Sequence, residues 1–267
     1  MKTLLTPRKR TWLHRANPAC KLLLLLVLFL VTLFTHRLDF MFYQAIIFTV
    51  LLFLLSGYEF WKVALLVLPF LLVFISSAST MILFGKGDHI WWTWGLIRIS
   101  EESFFRGIHI GLKSVTFAAE GFLFVLTTSS VMLFYALMQQ AKLAPKYAYS
   151  FMASVRLLPM VWEELQIRRN ALRIRGIRAP RGIRGWGKQA KLYAVPLLSQ
   201  SIRRAHRVAI AMEAKNFDSR RPRTYYYRSG YSRMDLLVLL VLAGAMAAAF
   251  ALAQVYPIFG IADVRYR

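Results

Sequence analysis

Five apolar segments restrict this chain more than any other feature. They run over residues 22–35, 40–55, 63–84, 108–137 and 234–253. A bilayer core of about 30 Å is crossed by a helix of about 20 apolar residues. Hydrocarbon offers no water to a bare peptide group, so such segments must satisfy their own backbone as helices. With 58% hydrophobic residues, the chain is richer in apolar side chains than soluble domains, which sit near about 45–50%. The sequence therefore predicts an all-α polytopic membrane protein with about five spans, plus cytoplasmic amphipathic helices.

The first segment, Leu22–Thr35, is short and needs Ala19–Lys21 or a thinned bilayer to cross. It follows a basic leader, as a signal peptide would. No small-residue cleavage site comes after it and more apolar segments follow at once, so it reads as a retained span. "HRLD" (His36–Asp39) then predicts a tight turn and "SGYEFWK" (Ser56–Lys62) a return. Gly85–Gly107 reads as a loop whose "WWTW" (Trp91–Trp94) suits anchoring at the headgroups. The fourth span is expected over Ile108–Leu137 and the fifth over Met234–Ala253.

Charge fixes the expected orientation. The net charge is +23, from 35 Lys+Arg against 12 Asp+Glu. Residues 142–233 carry 21 basic and 4 acidic side chains, and residues 1–21 carry 6 basic and no acidic ones. The remainder is balanced, with 8 of each. Cytoplasmic segments hold such an excess under the positive-inside rule. With the amino terminus inside, four spans place the basic block inside and a fifth sends the short tail outside. Three parts follow: an N-terminal membrane part (1–138), a basic cytoplasmic region (139–233), and a last span with an outer tail (234–267).

Several chemistries find no support. The single Cys20 excludes an intramolecular disulfide, and the five histidines are scattered without ligand spacing. "GIRGWGKQ" (Gly182–Gln189) approaches a phosphate-binding loop, but Gln189 replaces the magnesium-binding hydroxyl and no apolar strand precedes Gly182. "RAPRGIRGWGK" reads instead as a flexible basic linker that can lie on anionic lipid. No paired carboxylates or nucleophile–base pattern suggests an enzyme, and no cofactor is expected. Lys113 and Glu120 lie within the fourth span, seven residues apart and so on one helix face. Charges at that depth are expensive and usually face protein or water. Lys113 can also snorkel to the outer headgroups. For Glu120 an intramembrane contact with another span or a partner is expected.

Within the basic block, a helix is expected from Pro159 to its stop at Gly176, with Met160, Ile167, Ala171 and Ile174 on one stripe. A second is expected from about Pro196 to Asn216, with Leu198, Ile202, Ala205, Ala209 and Met212 forming a seam. Both are too charged to span a bilayer. They end in a repeated phrase, "ALRIRGI" at Ala171–Ile177 and "AMEAKNF" at Ala211–Phe217. Gly176 and Asn216 suit the left-handed residue that follows a helix, and Ile177 and Phe217 can fold back on the last turn. Arg175 and Lys215 each follow an alanine by four residues and favour the negative helix terminus. Ordinary capping explains either phrase alone. The doubling suggests two similar tips, at Ala171, Ile174, Arg175, Gly176 and at Ala211, Ala214, Lys215, Asn216, for two similar sockets.

These residues resemble a known family, the transmembrane T component of energy-coupling factor (ECF) transporters, which includes the cobalt-transport permease subunit. "NPACKLLLLL" (Asn17–Leu26) is similar to its opening. "TTSS…YALMQQAKLAP" (Thr127–Pro145) resembles its Thr-rich turn. "RLLPMVWEELQIRRNALRIRG" and "VPLLSQSIRRAHRVAIAMEAKNF" resemble its two helices that each end in Ala-Arg-Gly. The resemblance covers roughly residues 16–250. It implies a non-catalytic coupling subunit of the bacterial cell membrane, with each tip docked on one of two ATP-binding-cassette ATPases and a small substrate-binding membrane subunit alongside. The cargo would be a vitamin or metal ion. The first ending, Ile174-Arg175-Gly176, keeps Arg and Gly, whereas Ala214-Lys215-Asn216 changes both. Lysine lacks the bidentate fork of arginine, which fits a weaker contact or a different partner, such as two non-identical ATPase domains. The alternative is a membrane-anchored basic protein that binds anionic lipid or nucleic acid. Coupling through the tips predicts no nucleic-acid partner.

Overall fold

A computed structural model describes residues 8–9, 11–85, 87, 89–94, 97–176, 183–218, 224–261 and 263–264. The order is a single 3-10 turn (Trp12–Arg15), α1 (Pro18–Phe34), α2 (Leu38–Leu55), α3 (Phe60–Phe84), β1 (Ile90–Trp94), β2 (Ile97–Ser100), α4 (Glu101–Thr127), α5 (Ser130–Gln140), α6 (Pro145–Ile174), α7 (Ile183–Ala214) and α8 (Arg233–Val255). Two compact units result. One joins Met1–Ala136 to Ser229–Arg267, and the other is Leu137–Arg228.

In the first unit, α2, α3, α4 and α8 are long and apolar enough to cross a membrane, and α1 is a shorter apolar helix. At 17 residues α1 rises about 25 Å, below the usual core thickness. Its start is set by Pro18 at the first position and by Asn17, whose side chain accepts from the Ala19 N–H at 3.0 Å. Helix α4 packs against α1, α2 and α3. Phe48, Leu52, Val63, Ala119, Leu123 and Val238 form the buried centre. Elsewhere α3 is apolar all round, and among its residues only Val63 and Ala78 are buried. That pattern marks a helix that packs along one side, on α4, and turns the rest of its apolar surface to lipid. Glycines let α3 and α4 approach. A Cβ on Gly111 would lie 2.6 Å from the Phe74 ring, and one on Gly107 would lie 2.8 Å from the Ala78 carbonyl. Small residues serve close helix packing in membranes in this way.

Two expectations need correction here. The segment 85–107 is not a loop: β1 and β2 pair antiparallel with a bulge between Ile90 and Trp92, and α4 already begins at Glu101. The Ser100 side chain caps α4 by accepting from the Ser103 N–H, and β-branched and aromatic residues favour the strands. Trp91 and Trp92 remain more than half exposed. Nor does the fourth span reach Leu137. Helix α4 ends at Thr127, Thr128 is extended, and α5 restarts at Ser130. The Thr-Thr-Ser-Ser run competes for backbone partners, and the Thr127 hydroxyl bonds back to the Leu123 carbonyl at 2.6 Å.

At one end of this unit Lys21, buried, donates to the carbonyls of Leu13 and Thr127, both at 3.0 Å. There too Asp235 accepts from the Asn17 N–H at 2.6 Å and from the Ser232 N–H at 2.7 Å. The starts of α1 and α8 and the end of α4 are thereby tied together. At the other end Asp39 accepts the N–H groups of Ile258, Phe259 and Gly260, at 2.9, 2.8 and 3.1 Å. Leu38, Ile261 and Val264 pack beside it.

The second unit holds α6 and α7, of 30 and 32 residues. Both are longer than expected, because Pro159 and Pro196 lie inside them rather than at their starts. An internal proline removes one helix hydrogen bond and bends the helix without ending it. Residues 183–188, the second half of the expected flexible linker 178–188, open α7 as helix. The preceding 177–182, with Ile177, lie outside the described residues. Gln139 closes the base of this unit by donating to the Tyr227 carbonyl at 2.7 Å.

Candidate functional site

The two repeated phrases form matching helix ends. After α6, Gly176 takes φ 71° and donates its N–H to the Arg173 carbonyl at 3.1 Å, while the Arg175 N–H bonds the Ala171 carbonyl at 3.1 Å. After α7, Asn216 takes φ 51° and donates to the Glu213 carbonyl at 2.9 Å, while the Lys215 N–H bonds the Ala211 carbonyl at 3.3 Å. The Phe217 N–H then reaches the Met212 carbonyl at 2.9 Å. That pair of bonds is a complete Schellman ending. Each cation is held on a rigid turn rather than a loose loop.

Exposure singles out the tips. Ile174 is 87% exposed, and Arg175, Gly176, Ala211, Ala214, Lys215 and Asn216 are all exposed, with Ala171 half-buried. Beside the second tip lies an open groove of about 440 Å³ lined by Val208, Ala211, Met212, Lys215, Asn216 and Phe217. Its apolar floor and cationic rim suit an apolar side chain next to a carboxylate.

Two contacts fix how α6 and α7 meet. Phe217 packs edge-on against Tyr149, with centroids 5.7 Å apart at 83°. Glu164 pairs with Arg204. From the first pairing to the second the contact moves forward along α6, from Tyr149 to Glu164, and backward along the other stretch of chain, from Phe217 to Arg204, so the helices run antiparallel. The tips thus sit at opposite ends of the pair. From Tyr149 to Arg175 the helix path is about 39 Å at 1.5 Å per residue. The apolar stripes stay uncovered, with Ile167, Leu198 and Ile202 each more than 60% exposed.

Glu120 and Lys113 have contacts inside the first unit. Glu120, 2% exposed, accepts from Gln44 at 3.1 Å and from Thr32 at 3.3 Å, and Gln44 also donates to Thr32 at 2.6 Å. One polar cluster thus joins α1, α2 and α4. Lys113 donates to the Leu33 carbonyl at 2.9 Å, among the last carbonyls of α1. A cation there completes a helix end. Thr32, Gln44, Asp39, Glu164 and Arg204 do not stand out as partners in the sequence, since each pairing depends on which helices touch. Asn17 and Lys21 did stand out in the opening phrase, but their partners did not. Among the described residues no group of three metal-ligating side chains comes together.

A bundle of apolar helices carrying a long basic insertion with two exposed, rigidly capped cationic ends defines a multi-pass membrane protein of the transport class. The family described as cobalt transport protein, CbiQ, matches residues 9–226, and the chain belongs to it. It is similar to the energy-coupling factor transporter transmembrane protein EcfT of Streptococcus thermophilus, with 24% identity over 240 residues, covering 87% of this chain and 90% of that one. The EcfT protein of Brevibacillus brevis is 26% identical over 249 residues, covering 88% and 94%. That of Limosilactobacillus fermentum is 26% identical over 181 residues, covering 65% and 68%. The chain is thus a T component of an energy-coupling factor transporter.

Proposed function

We propose that this chain is the non-catalytic coupling subunit of an importer for a vitamin or metal ion. Arg175 and Lys215 dock into carboxylate-bearing grooves of two ATP-binding-cassette ATPase domains. Helices α6 and α7 carry ATP-driven motion from those domains to the membrane spans and to a small substrate-binding membrane subunit beside them. The amino terminus and the basic unit face the cytoplasm of a bacterial cell, where the positive-inside rule puts them.

The observation that carries this reading is the pair of exposed cations, each fixed by a left-handed residue and backbone bonds at a helix end. Separation by about a helix length suits two sockets rather than one. The second tip keeps its turn with Asn216 but presents an ammonium in place of a guanidinium, which fits ATPase domains that are not identical. The exposed apolar stripes of α6 and α7 offer the remaining contact area.

Co-expression with ATP-binding-cassette ATPases of energy-coupling factor type from the same organism tests the reading. Both ATPase domains should co-purify with the wild type, and Arg175→Ala together with Lys215→Ala should release them. Retention by the double variant, or release that depends only on salt and equally on any arginine of the block, would favour a general electrostatic binder.

A further inference from the structure

The crossing of α6 and α7 carries an unbalanced charge cluster. One oxygen of Glu164 meets Arg204. Its other oxygen is buried without a donor, and the Arg204 Nη1 and Arg168 Nε atoms are buried without acceptors. Arg168 lies four residues after Glu164 on α6, the spacing and direction at which a glutamate and a cation pair along a helix. So two guanidinium groups stand within reach of one carboxylate at a half-buried contact. A half-satisfied buried network is a poor rigid clamp. It is suited to changing partners.

We propose that Glu164 exchanges between Arg204 on α7 and Arg168 on its own helix, and that Arg168 is a positioning residue for the motion of the coupling helices. With Arg204 the carboxylate locks α6 to α7. With Arg168 the ion pair lies within α6, and the crossing is free to slide or rotate. Either state leaves one guanidinium short of a partner, so neither is strongly favoured and a push on the tips can choose between them. The exchange itself needs only the contact at the crossing; its role in transport rests on the coupling reading above.

The test uses the full chain in nanodiscs, with Cys20→Ser and nitroxide labels on Gln166→Cys and Ile202→Cys, both exposed positions. Pulsed electron paramagnetic resonance should give two distance populations. Arg168→Gln should collapse them to the crossed one and Arg204→Gln to the other, while Arg168→Lys restores both. The Arg168→Gln protein should also melt as the wild type does. A single population in the wild type, an unchanged distribution in Arg168→Gln, or a clear loss of its thermal stability would overturn the exchange. With the ATPases bound, Arg168→Gln should lower nucleotide-driven switching between the populations by roughly fivefold or more, the lower end of ordinary coupling between sites. If the labels behave as expected but the ATPases never bind the wild type, the exchange stands and the coupling reading fails.

Discussion

The Phe217 N–H donates to the Met212 carbonyl at 2.9 Å, across Asn216 in the left-handed conformation. This bond aims the Lys215 side chain, so the tip depends on its backbone as well as its charge. Asn216→Gly should be tolerated, since glycine takes φ > 0 without strain. Asn216→Val should cost about 1–3 kcal/mol locally and weaken ATPase binding while Lys215 is intact. Hydrogen exchange at Phe217, with ATPase pull-down, measures both effects.

Removing Lys21 should loosen the tie between α1 and α4. Its ammonium is the donor to both the Leu13 and Thr127 carbonyls. Lys21→Met keeps the apolar stem but takes this donor from the Thr127 carbonyl and leaves the Leu13 carbonyl with the Ala16 N–H at 3.4 Å, at about 1–3 kcal/mol for a buried group left unpaired. Thermal unfolding in detergent should show a drop of several degrees, and an unchanged midpoint would contradict the buried contact.

Asp39 holds the segment after α8 through three backbone N–H groups. Hydrogen bonds to an ionised group contribute about 1.5–3 kcal/mol. Asp39→Ala should therefore free this segment, seen as faster amide exchange at residues 258–260 and easier proteolysis near Tyr256, with the rest of the first unit protected as before.

Gly111 faces the Phe74 ring at a distance no Cβ can occupy. Gly111→Val should force α3 and α4 apart at a cost of about 1–3 kcal/mol or more, lowering the yield of folded protein. Gly187→Ala makes a control, as an added Cβ there meets nothing within 4 Å.

Much of this fold was legible because the membrane imposes one rule per segment. Val63–Phe84 and Met234–Ala253 fell within three residues of α3 and α8 at either end, since an apolar run in lipid has no other way to satisfy its backbone. The tips were legible because Gly176 and Asn216 carry their conformational preference locally. What failed was punctuation. Pro159 and Pro196 suit helix starts in the sequence, yet a long helix absorbs a proline as a bend. The Thr-Thr-Ser-Ser break was hidden because its apolar flanks run on. The Glu120–Gln44–Thr32 cluster and the Glu164–Arg204 pair were illegible for a different reason: they follow from which helices meet, and spacing along one helix cannot say that.

The most direct measurement is the ratio of substrate taken up to ATP hydrolysed by the reconstituted complex. Arg175→Ala and Lys215→Ala, made singly, should cut that ratio at least fivefold, a coupling loss of about 1 kcal/mol or more, while the ATPases still hydrolyse ATP. Arg203→Ala, which removes an exposed cation bonded to Ser199, should leave the ratio unchanged. Equal losses in all three variants, or none in the first two, would contradict the central claim.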